Sequence, residues 1–165
     1  MAHVDTPWTR LASRTARGLL ARKGATYESL AQALCALGIP ESVRGAESKI
    51  QRGSFRFSFF IQVLKALDSE YPTQWEPYLE TDDAWEIAAA RIFRHELDAG
   101  GIDIYTLAVR LSEMNISIET EALGSLVSLG ELPFSLVLQL SSVAPISQLC
   151  RFVDQKDIEK TAGIR

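Results

Sequence analysis

Cysteine, histidine and methionine are scarce, with two of each in the whole chain. Two cysteines, Cys35 and Cys150, are too few for a disulfide framework, which fits a reducing compartment and a cytoplasmic location. His95-Glu96 begins like a zinc-protease motif, but the position four after His95 is Ala99, so the second ligand is missing. His3 stands alone near the N-terminus, and Cys150 has no spaced metal partner. No phosphate-binding glycine loop appears. Cys35, at the end of an apolar helix, is expected in the core, and Asp82-Asp83 are expected to cap a helix whose dipole favours acids. The expectation is therefore a protein without catalytic residues, metal or cofactor, and not an enzyme.

A secretory signal is also lacking, because the stretch before Trp8 is short, polar and interrupted by Pro7. The longest uncharged run, Leu132 to Cys150, carries Pro133, Pro145, two glutamines and four serines. A core helix explains it better than a membrane span. Period-two alternation, the mark of a half-buried strand, is missing over any length. The expected fold class is all-α.

What the chain does contain is an internal repeat. At an offset of 77 residues without gaps, 15 of the positions 8–68 are identical to those at 85–145, among them Trp8 and Trp85, Arg14 and Arg91, Arg17 and Arg94, Gly53 and Gly130. Chance would give about 4, at a background of roughly 6%, and a gapless register is what a duplicated folded unit leaves behind. Each copy reads as four helices. In the first, Thr6 caps a helix with Pro7 at its first position that stops near Gly24; Thr26 caps a second, closed by Gly38. A third opens at Pro40 or Glu41 and closes at Gly53, and a fourth, very apolar, runs from Phe55 to Leu67. The second copy repeats this punctuation at Asp82, Gly100-Gly101, Asp103, Asn115, Ser117, Gly130, Pro133 and Pro145. The aromatic and acidic stretch 69–84 reads as a structured connector, since Tyr71, Trp75 and Tyr78 are more than a loose tether needs. A short helix is expected at 146–153 and a frayed tail from Asp154.

The run from Thr26 through Leu30-Ala31, Gly38-Ile39 and Ser48-Lys-Ile-Gln-Arg-Gly53 resembles the helix-turn-helix of phage-repressor-type (XRE-like) regulators. It is closer still to an uncharacterised bacterial family of short domains with the pattern Leu-Ala, Leu, Gly-Ile, Lys-Ile-x-Arg-Gly-x-Phe. The resemblance covers 8–68, with 85–145 as a degenerate copy, and it implies DNA binding and a role in transcription regulation. Two departures stand out: Cys35-Ala36-Leu37 intervenes before the turn glycine, and 38–53 is about one helical turn longer than usual, at roughly 3.6 residues per turn.

On the third helix, Val43, Ala46 and Ile50 share one side, while Arg44, Ser48 and Arg52 share the other, with Lys49 at its edge and Arg56 just beyond. Arginine forks suit guanine edges or phosphate, and Ser48 bonds to either. Arg14, Arg17 and Arg22 on the first helix are expected to add phosphate contacts. In the second copy Arg44, Lys49 and Arg52 are replaced by Glu121, Leu126 and Leu129, useless or repulsive toward phosphate. Leu123, Leu126, Val127 and Leu129 there form more apolar surface than one unit readily buries, which suits packing onto the first copy or onto a partner subunit; a partner or homodimer interface is the favoured expectation.

The leading reading is a DNA-binding regulator whose first copy contacts duplex and whose second oligomerises. A non-enzymatic protein-interaction module (adaptor, antitoxin-like partner or inhibitor) and charge-driven self-assembly are the alternatives. The net charge of −4 conceals an asymmetry: residues 8–68 carry ten Lys+Arg against four Asp+Glu, residues 85–145 three against eight.

Overall fold

The computed structural model describes residues 5–163 and is all-helical. Among the described residues are ten α-helices: α1 (Pro7–Arg22), α2 (Tyr27–Ala36), α3 (Val43–Arg52), α4 (Phe57–Ala66), α5 (Glu76–Leu79), α6 (Trp85–Gly100), α7 (Ile104–Glu113), α8 (Thr120–Ser128), α9 (Phe134–Val143) and α10 (Gln155–Thr161). Short 3-10 turns at Thr73–Trp75 and Leu149–Arg151 precede α5 and α10.

Side-chain caps set five of the ten α-helix starts. Thr6 and Thr26 each accept from the third helical backbone N–H while the side chain there, Thr9 or Ser29, accepts from the cap N–H. Two orphan donors are satisfied reciprocally at each site. Asp103 caps α7 by accepting from Thr106 N–H at 2.7 Å, and this bond, made to the charged form, holds its carboxyl below the usual range. Other starts differ from expectation. Ser42, not Pro40 or Glu41, caps α3 by accepting from Gly45 N–H, because the hydroxyl reaches the first turn from there. The helix expected from Ser117 begins at Thr120, without a side-chain cap. Asp82 and Asp83 do not cap α6: Ala84 stands at the cap and Asp83 is drawn away to pair with Arg91 at 2.7 Å.

The arrangement is reciprocal. α1 packs on α9 while α4 packs on α6; α1 packs on α3 and α10 while α6 packs on α8 and α5. At the centre Arg56 and Pro133 form an antiparallel bridge. Phe57 N–H donates to Leu132 O at 2.9 Å and Phe134 N–H donates to Phe55 O at 3.0 Å. Each partner pair exchanges when 77 is added or subtracted, which is the signature of a two-fold, self-complementary contact. The first helix of each half thus lies on the fourth helix of the other.

One hydrophobic core fills this interlocked body. Phe60 and Phe134 stack across the seam, Phe57 meets Trp75 edge-on at 5.4 Å, and Phe152 reaches Phe60 at 5.3 Å. Trp75 is fully buried, and its indole N–H donates to Glu96 Oε1 at 3.0 Å. Gln74 donates to the same oxygen at 3.1 Å, so the buried carboxylate keeps two donors. Stretch 69–84 is therefore anchored on the core through Pro72, Trp75 and Leu79, and pinned further by Tyr71 donating to Glu80 at 2.9 Å. Burial and this neighbouring carboxylate push the Tyr71 hydroxyl up to about 12. The tail expected to fray instead forms α10, seated by Ile158, which is fully buried. The run at 146–153 makes a 3-10 turn rather than an α-helix. No helix among the described residues is long and apolar enough to cross a membrane.

Candidate nucleic-acid interface

The end of α3 is fixed onto the start of α1 by a glycine. Gly53 adopts φ 71°, and a Cβ there would run into the carbonyl oxygen of Thr9. Only glycine allows both the left-handed turn and this approach. Gly130 stands in the same way against the carbonyl of Glu86. With α3 held so closely, Arg52 comes beside the outer face of α1.

That face carries Arg10, Arg14 and Arg17 at helical spacing, all exposed. Together with Arg52 and Lys160 of α10 they line a groove of about 530 Å³. Arg10 is paired with Asp5 at 2.8 Å. Arg14, Arg17, Arg52 and Lys160 have no ion-pair partner among the described residues. Like charges three or four positions apart on a helix destabilise it by about 0.2–0.5 kcal/mol per pair, so the α1 cations are retained against a local electrostatic cost.

The expected recognition set is not one continuous patch. Arg14, Arg17 and Arg52 converge in this groove. Lys49 and Arg56 instead line a second depression of about 370 Å³, with Glu86 of the other half on its rim. Lys49 is tied to Glu41 and lies 5.1 Å from the centre of the Phe59 ring. Arg44 is exposed two turns back along α3, and Ser48 between them is half-buried. On the inner side Ala46 and Ile50 are fully buried, but Val43 is 43% exposed at the first position of the helix, where no neighbour covers it. The connection between α2 and α3 is six residues, 37–42, against three or four in a helix-turn-helix.

In the second half, Leu123 and Val127 are buried in the protein's own core, so they present no surface to a partner. Leu126 is half-buried and Leu129 is 61% exposed. The groove's counterpart is altered throughout. Arg91 is held by Asp83, Arg94 donates to Ser128 at 3.0 Å, and Ile87 and Leu129 replace Arg10 and Arg52.

The remaining chemistry-bearing residues are dispersed. Cys35 is exposed, not core, because α2 turns Leu30, Ala31 and Leu34 inward and the next position faces out; its thiol points at the Glu41 carbonyl. Cys150 is exposed too. His95 Nδ1 lies 3.3 Å from the Tyr78 hydroxyl. His3 is outside the described residues. Arg10 and Lys160 were not singled out by the sequence; Arg10 shares the α1 face with Arg14 and Arg17, but nothing local ties Lys160 to it.

The fold and site define an all-α, interlocked two-half protein with a basic groove on one half. Residues 8–71 match a family described as a domain of unknown function (DUF6471). That span takes in α1 to α4, the basic part of the chain. No curated protein and no solved structure matches the chain.

Proposed function

We propose that the chain is a cytoplasmic DNA-binding regulatory protein, built from two copies of one unit, in which the first copy contacts duplex DNA. The observation that carries this reading is the convergence of Arg14, Arg17 and Arg52 from two helices on one groove, none of them ion-paired among the described residues. Phosphate contacts from α1 would set the register of the protein on the duplex, and Arg44 and Ser48, further along the exposed side of α3, would reach toward base edges. The likeness to phage-repressor-type domains supports the use of α3, while the six-residue connection means a different angle of approach. The second copy, with Leu129 exposed and Glu121 where Arg44 stands in the first, is assigned to contact with a protein partner or a second chain.

A mobility-shift assay of genomic fragments tests this. Wild type should retard duplex with affinity falling steeply as salt rises, and the Arg44→Ala/Arg52→Ala variant should not, while keeping its circular dichroism. Failure to bind any duplex at low salt sinks the reading. The alternative, a non-enzymatic protein-interaction module, draws on the exposed apolar residues Tyr105, Val109 and Leu129 of the second half; partners retained after nuclease treatment would favour it.

A further inference from the structure

We infer that the groove between α1, the end of α3 and α10 is a site for a compact cluster of phosphate groups, with Arg14, Arg17 and Arg52 as the donors and Lys160 closing one side. This deepens the functional reading by naming the chemistry of its groove, and it extends the site to α10.

Three observations support it. The five cations come from segments far apart in sequence, at 10–17, 52 and 160, and are brought together only by the fold. Against them stand two acids, Asp5 and Asp157, leaving a formal surplus of three positive charges (five minus two). A cavity of this volume admits a triphosphate or several backbone phosphates, and guanidinium forks bind such oxygens in pairs.

The third observation is an internal control. The second half builds the same pair of helices around Gly130, yet there Arg91 is neutralised by Asp83, Arg94 donates to Ser128, and Ile87 and Leu129 take the places of Arg10 and Arg52. The fold therefore forms without a free basic cluster at this junction. Packing does not account for the cations of the first half, whereas an anionic ligand does.

Clustered phosphates arise either as a free polyphosphate compound or along a nucleic-acid backbone. Titration calorimetry of the full chain with inorganic tripolyphosphate at low ionic strength separates the two. Wild type should bind one equivalent; Arg14→Gln, Arg17→Gln, Arg52→Gln and Lys160→Gln should each weaken binding, the arginines by about tenfold or more. Arg110→Gln, outside the groove and paired with Glu113, should leave it unchanged. No heat, or equal losses in the groove variants and Arg110→Gln, overturns the inference. Displacement of bound duplex by tripolyphosphate identifies the groove as a backbone site. Binding of tripolyphosphate without any duplex binding keeps the groove and refutes the DNA reading.

Discussion

Phe60 of α4 and Phe134 of α9 stack with ring centroids 4.0 Å apart and planes within 11° of parallel, one ring from each half. Neither half owns this contact, and Phe55, Phe57 and Phe152 close around it. The two halves should accordingly melt together.

Calorimetry of wild type is expected to give a single transition whose van't Hoff and calorimetric enthalpies agree. Phe134→Ala should lower the stability of the whole chain by about 3–5 kcal/mol. Two resolved transitions, with only the later half affected by Phe134→Ala, would show that the halves fold separately.

Gly53→Ala should destabilise by at least about 2 kcal/mol, since a left-handed alanine is strained and its Cβ meets backbone rather than a movable side chain. For a chain of this size that is a fall of roughly 4–8 °C in Tm. Gly130→Ala should behave alike. An unchanged Tm for Gly53→Ala would contradict the close approach to Thr9.

Should duplex binding be observed, Arg14→Ala and Arg17→Ala should each weaken it evenly across sequences and reduce the salt slope by about one, as phosphate contacts do. Arg44→Ala should weaken preferred sites more than random ones. Competition binding over a salt series distinguishes these, and a sequence-selective effect of Arg14→Ala would reverse the assigned roles.

Asp103 and Tyr71 are each expected to contribute to the pH dependence of stability. The lowered carboxyl of Asp103 contributes above its ordinary 3.8, and that contribution is lost as the pH falls through the lowered value. Asp103→Asn retains an N-cap acceptor and should flatten the acid limb. Tyr71, raised from 10.0 to about 12, contributes below 10.0 and loses its contribution as the pH climbs between those values. Glu80→Gln removes the neighbouring charge, so the tyrosinate absorbance of Tyr71 should appear at lower pH; an unmoved titration would refute the pairing.

Much of this architecture was legible in the chain. The caps Thr6, Thr26 and Asp103, the stop at Gly53 and the apolar α4 and α9 are local signals, set by one or two residues each. The exchange of helices between halves was not legible, because periodicity marks which face is buried but not which partner buries it. Leu123 and Val127 looked like surplus apolar surface for that reason. Residues 155–161 are too short to show a periodic stripe, so α10 and Lys160 escaped. One trace did exist: Trp75 and Phe152 are both aromatic at the same offset of 77, extending the repeat past the fourth helix into both segments. For the groove, Arg14 and Arg52 were each visible, but their meeting depends on how Gly53 seats α3 on α1, a tertiary fact.

The reciprocal seam joins two unlike halves of one chain. In an assembly of identical chains every substitution is made twice, so one groove cannot change without its mate. Here both sides of the contact lie on one polypeptide, and dilution does not separate them. Position 52 is arginine while its counterpart across the seam, position 129, is leucine. One polypeptide thus carries two unlike faces on a single shared core.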